Sequence, residues 1–114
     1  PVALCAICVR DNPRYPYKPN YPLTILVNPA VTPLTEETFL NYEGCLSVPN
    51  LRGEVERFVA VRVRAWDRAG RDLDFEVRGL TAGTFQHEVD HLRGRLFLDG
   101  VKDPKTLTTW ADFE

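Results

Sequence analysis

Hydrophobic and polar positions alternate with different periods in different parts of this chain, and the periods mark its elements. Residues 2–9 (VALCAICV) are a short unbroken apolar run, the pattern of a buried strand. Residues 10–22 carry four prolines, which exclude a helix or a central strand there and predict an irregular connection. A strand resumes over 23–28, and Pro29, Pro33 and the polar TEET stretch predict a further connection. The clearest pattern is a hairpin. Val59, Val61, Val63 and Ala65 alternate with Arg62 and Arg64, while Leu73, Phe75 and Val77 alternate with Asp74 and Glu76. A turn centred near Ala69 sets Arg64 against Asp74, Arg62 against Glu76, Val63 against Phe75 and Val61 against Val77. One register thus satisfies charge pairing on one face and apolar pairing on the other. The charged face is expected to be solvated.

The period then changes to helical. Thr81 is placed to cap a helix running to about Arg93, with Gly94 placed to end it. Phe85, Val89 and Leu92 form an apolar stripe that should pack on the sheet, and Leu80, Thr84, His87 and His91 form a second stripe. The remaining segment, 95–114, mixes apolar and charged residues, with Trp110 and Phe113 as its anchors. The expected fold is α+β, antiparallel strands packed around one helix.

Composition adds bounds. At 114 residues with a net charge of −2, the chain is one domain by length and offers no electrostatic argument for nucleic acid or an anionic membrane. No apolar run approaches the roughly 20 residues of a membrane-spanning helix. Three cysteines, an odd number without a secretory signal, predict reduced thiols and a cytosol-like compartment. Cys5 and Cys8 form a C-x-x-C pair, but residues three apart in a strand face opposite ways and cannot share one ion; both are expected in the core.

The candidate chemistry lies in TFQHEVDH, residues 84–91, which holds the only two histidines. On a helix, His87 and His91 share a face and can present two imidazoles to one metal, with Glu88 about 100° away as a general base. Two partly exposed histidines on an amphipathic helix would look the same. Asp90 could support an imidazole or simply be solvated. An open metal site needs a third protein ligand. Cys45, in YEGCLSVP, is a candidate, a buried free cysteine being its ordinary alternative. Glu43 and Arg57 flank that segment and could form a buried pair that holds the loop, a surface pair being the commoner alternative. Leu80 and Thr84, with Gly83 beside them, would line the space next to the histidines, or pack the helix.

EGCLS followed about forty residues later by QHEVDH resembles the second and third motifs of peptide deformylases, with a hairpin between them. The resemblance implies that Cys45, His87 and His91 hold one divalent metal, natively iron(II), with zinc, nickel or cobalt as other occupants. It implies that Glu88 moves the proton in catalysis and that the backbone N–H of Leu46 helps stabilise the oxyanion. The substrate would be the N-formyl group of the initiator methionine on a nascent polypeptide, released as formate, with Gly44, Leu80, Gly83 and Thr84 around it. The ribosome is a partner by the family's role alone, and the location would be a bacterial-type cytoplasm or an organelle. The family's first motif, G-x-G-x-A-A-x-Q, is absent from these residues. It would precede Pro1, so the chain is expected to be a C-terminal piece of the catalytic domain, with an upstream segment supplying the glutamine. Gln86 cannot be assumed to replace it. The competing functions are a catalytically silent metal-binding or interaction module and a zinc peptidase using HExxH with a later ligand.

Overall fold

The computed structural model describes residues 3–9, 20–45 and 48–93. Among these residues six strands precede one helix: β1 (Leu4–Val9), β2 (Tyr21–Pro33), β3 (Thr38–Cys45), β4 (Val48–Phe58), β5 (Ala60–Trp66), β6 (Asp72–Arg78) and α1 (Gly79–Leu92). They form a four-stranded antiparallel sheet, ordered β1-β2-β5-β6, and a separate two-stranded sheet, β3-β4. This is the expected α+β architecture with the HExxH helix at its centre.

The β5–β6 hairpin has the register expected from its pattern, with Arg64 opposite Asp74, Arg62 opposite Glu76, Val63 opposite Phe75 and Val61 opposite Val77. Its turn is closed by Asp67, whose Oδ1 accepts hydrogen bonds from the Ala69 and Arg71 backbone N–H groups. Strand twist directs the closest ion pair along the diagonal: Arg62 Nε donates to Asp74 Oδ1 at 2.8 Å. The apolar face holds Val61, Val63 and Val77 in the core beneath α1. There Phe85, fully buried, meets Tyr21 and Phe75 edge-on at 5.3 and 5.6 Å between ring centroids. Val89 and Leu92 continue that stripe as expected, Val89 buried and Leu92 half-buried against the core.

Several expectations are corrected. Among the described residues, strand β1 is a sheet edge and is buried on one face only: Cys5 and Ile7 point into the core, whereas Leu4, Ala6 and Cys8 are exposed. Cys8 is therefore not a core residue. Strand β2 runs on through Pro29 and Pro33, because a bulge between Val27 and Ala30 lifts Pro29 out of the hydrogen-bonded ladder. Asn28 sits in that bulge at φ +50°, and its Oδ1 accepts from the Ala3 backbone N–H. The β3–β4 hairpin carries no expected strand at all. The helix starts two residues before Thr81, which lies in its first turn; the cap is Arg78, extended and without a side-chain cap hydrogen bond. The Gly79 N–H donates instead to the Val59 carbonyl at 2.7 Å, and Gly79, at φ +66°, makes the sharp entry into the helix. Of the proline-rich stretch 10–22, Tyr21 and Pro22 open β2 instead of lying in a connection; residues 10–19, Gly94 as a helix stop, and the anchors Trp110 and Phe113 lie outside the described residues.

Candidate metal centre

The two-stranded sheet meets α1 through polar side chains. On its inward face, β3 presents Phe39, Asn41 and Glu43, and the paired β4 presents Arg57, Val55 and Gly53 opposite them. Glu43 is 3 % exposed and is the hub. Arg57 grips it with two hydrogen bonds, Nε to Oε2 at 2.7 Å and Nη2 to Oε1 at 2.6 Å. Asn41 Nδ2 donates to Oε2 at 3.0 Å, and His87 Nδ1 lies 2.8 Å from Oε1. Burial alone would raise the Glu43 carboxyl, but Arg57, His87 and Asn41 outweigh it and lower it to about 2. Glu43 is therefore an ionised acceptor, so His87 Nδ1 must carry the proton. In the neutral ring this tautomer leaves the lone pair on Nε2.

His91 lies one turn further along α1, and the two imidazole centroids are 4.6 Å apart. Its Nε2 is buried and has no hydrogen-bond partner among the described residues. A buried ring nitrogen without a partner is costly unless something else occupies it. A cation held between His87 and His91 would take up that lone pair, so the donor set fits a metal. The carboxylate behind His87 is the support that metal-bound imidazoles ordinarily have. Cys45 ends β3 two residues after Glu43, with its backbone opposite Val48. Two residues of strand advance the chain about 6.6 Å, so the Cys45 backbone stays near the Glu43–His87 contact. The Cys45 side chain and all of Leu46 lie outside the described residues, and among the described residues no cluster of three metal-ligating groups occurs.

The remaining expected residues are also located. Glu88 is half-buried next to His87 in the helix, near β1, where burial and then the Glu88 charge push the Cys5 thiol up to about 11. Leu80 and Thr84 are half-buried, and the Thr84 hydroxyl donates back to the Leu80 carbonyl at 3.3 Å. Gly83 is buried against β3, where a Cβ would stand 3.2 Å from Phe39 Cζ and 3.3 Å from Asn41 Nδ2. Its lack of a side chain lets the helix approach β3, and Gly44 is the next-to-last residue of that strand, just before Cys45. Gln86 Oε1 accepts from the Phe58 N–H at 2.9 Å, while its Nε2 donates to the Phe58 carbonyl at 2.8 Å and to the Ala82 carbonyl at 3.0 Å. Gln86 thus pins the helix to β4.

Residues 1–107 match the polypeptide deformylase family. The chain belongs to that family. It is 44% identical over 95 residues to peptide deformylase 1 of Nitrosomonas europaea, covering 83% of this chain and 54% of the relative. To the peptide deformylase of Psychrobacter arcticus it is 51% identical over 90 residues, covering 79% of this chain and 44% of the relative. Among solved structures, the class I type b peptide deformylase of Acinetobacter baumannii with Met-Ala-Ser bound superposes with a TM-score of 0.76 at 40% identity. That match covers 88% of this chain and 62% of that one. The Thermotoga maritima peptide deformylase superposes at 0.68 with 34% identity, covering 71% of this chain and 55% of that one. The chain thus spans about half the length of the curated relatives it matches.

Within this deformylase fold, sequence reasoning found the Glu43–Arg57 pair but missed what it holds. Asn41 had no distinguishing signal, and Asp90 is ion-paired with Arg57 at 2.6 Å. That Asn41 and Glu43 share a strand face is visible only once β3 is known to be a strand.

Proposed function

We propose that the complete protein is a metal-dependent peptide deformylase, hydrolysing the N-formyl group from formyl-methionyl nascent polypeptides and releasing formate. Cys45, His87 and His91 are the proposed ligands of one divalent metal. The observation that supports this best is the paired imidazoles, one fixed by an ionised Glu43 and the other with a buried, unpartnered Nε2. Iron(II) is the proposed native metal, with zinc, nickel and cobalt as alternative occupants, since a thiolate with two imidazoles accepts any of them. When bound, the metal supplies Lewis acidity, polarising the formyl carbonyl and acidifying water.

The chain's own residues do the rest. Glu88 accepts the proton of the attacking water and later delivers it to the departing amine. The Leu46 backbone N–H donates to the developing oxyanion, together with a glutamine from the first motif in an upstream segment. Gly44, Leu80, Gly83 and Thr84 border the bound peptide's first residue. The proposed setting is the cytoplasm, or an organelle, at the ribosome that supplies the nascent chain.

Formate release from formyl-Met-Ala-Ser by the complete gene product, together with metal analysis, tests the assignment. Stoichiometric metal with no formate would sink it in favour of a silent metal-binding module. Glu88→Ala should retain metal and lower turnover by at least about a hundredfold, the scale of a lost general base. Normal hydrolysis by that variant would exclude Glu88 from proton transfer.

A further inference from the structure

Arg57 lies between two carboxylates on different elements. It holds Glu43 of β3 through Nε and Nη2, and Asp90 of α1 through Nη1 at 2.6 Å. Glu43 in turn holds His87 of α1. Asp90 and His87 are three residues apart and so lie one turn apart on neighbouring positions of the helix. The contacts therefore close a ring: from α1 at Asp90, to β4 at Arg57, to β3 at Glu43, and back to α1 at His87. The ring ties α1 to the β3-β4 sheet, which is separate from the β1-β2-β5-β6 sheet that buries the helix's apolar stripe. The hairpin carries Cys45, and the helix carries both histidines.

Burial makes the ring stiff. Arg57 is 7 % exposed, and its planar fork engages Glu43 at both oxygens, a geometry that tolerates little rotation. Asp90 occupies the third donor and so fixes the guanidinium from the helix side. With two carboxylates and one guanidinium, −2 and +1, the ring carries a net −1 behind His87. That excess charge favours a cation on the far side of the imidazole.

We propose that Asp90 is a positioning residue for the metal site, acting through Arg57 and Glu43 to orient His87 and to hold the Cys45 hairpin against the helix. The proposal rests on the deformylase reading of the site. Asp90 and Arg57 touch neither metal nor substrate. They set the geometry of one ligand and the spacing between the two elements that supply all three.

Cobalt(II) binding to the complete, metal-free protein tests this by chelator competition and by the d–d absorption of the bound ion, readouts that do not depend on turnover. Asp90→Asn and Arg57→Lys should each weaken cobalt affinity about tenfold or more and change the d–d bands. The double variant should be no weaker than the worse single variant, since both cut the same chain of contacts. Asp74→Asn, which removes an exposed carboxylate paired to Arg62 on the other sheet, should leave affinity and spectrum unchanged. Parent-like affinity and spectrum in Asp90→Asn, with only a lower unfolding temperature, would overturn the positioning role. So would fully additive losses in the double variant. If the parent protein itself bound no cobalt, the deformylase reading would fall and the positioning role with it.

Discussion

Glu43 decides much of the local chemistry because it is a buried charge with four donated contacts. Removing a carboxylate from water costs several kcal/mol, and only a full set of donors offsets that. Here Arg57 gives two hydrogen bonds, and Asn41 and His87 give one each. The consequence for stability has a definite sign. The carboxyl falls from its ordinary 4.5 to about 2 on folding, so its contribution is complete above about pH 4.5 and is lost as pH falls through about 2. Thermal unfolding of the metal-free protein should therefore move to lower temperature between pH 5 and 2. Glu43→Gln should be less stable at neutral pH and show a flatter dependence over that window. An equally steep dependence in the variant would mean that the ionised carboxylate is not the centre of the cluster. Sequence alone made Glu43 and Arg57 a possible pair, because opposite charges flanking a motif often meet. It could not tell a solvated pair from a buried one, since burial depends on what packs over them.

At the scale of elements, the β5–β6 hairpin and the β3–β4 hairpin differ in legibility for one physical reason. The first turns valines toward an apolar core, so its alternation is visible in the residue types. The second turns Asn41, Glu43 and Arg57 inward and leaves Leu40 62% exposed, so its alternation runs against the rule that inward means apolar. A strand built to hold a polar network does not look like a strand. The N-terminal run erred in the other direction: its continuous apolar character predicted burial on both faces, but among the described residues only the α1 face of its sheet is covered, which leaves Leu4 60% exposed. Helix α1 read well on both stripes, and its start was misplaced because Gly79 turns the chain through a positive φ where a capping threonine was expected. Gln86 joins α1 to β4 by satisfying both backbone groups of Phe58. Gln86→Leu should leave those groups unpaired and cost about 1–3 kcal/mol, read from urea unfolding. A loss within error of zero would show that the helix is held to β4 by the ion pairs alone.

At the scale of the whole molecule, α1 is shared between two sheets and ties them together. The four-stranded sheet holds it by apolar burial around Phe85, and the two-stranded sheet holds it by Arg57, Gln86 and the close approach at Gly83. A metal bound between Cys45 and the two histidines would add a third tie, from the end of the hairpin to the helix. A ligand present at a hundred times its dissociation constant stabilises the folded state by about 2.7 kcal/mol. Removing metal with a chelator should lower the unfolding temperature and accelerate amide exchange in β3 and β4 more than in β2 and β5. Uniform acceleration throughout the chain would argue that the metal does not bridge the hairpin and the helix.

The sequence by itself determined the antiparallel α+β class, the register of the β5–β6 hairpin, the two stripes of α1 and the HExxH–EGCLS pairing that carries the family. All of these follow from local period or fixed motif spacing, which a linear string preserves. Only the tertiary structure decided that β3 and β4 pair, that Cys8 faces outward, and that buried Glu43, Arg57 and His87 close into one ring with half-buried Asp90. Those facts depend on which surfaces meet. The partners, residues 43, 57, 87 and 90, come from three elements, and their contacts exist only once those elements are packed.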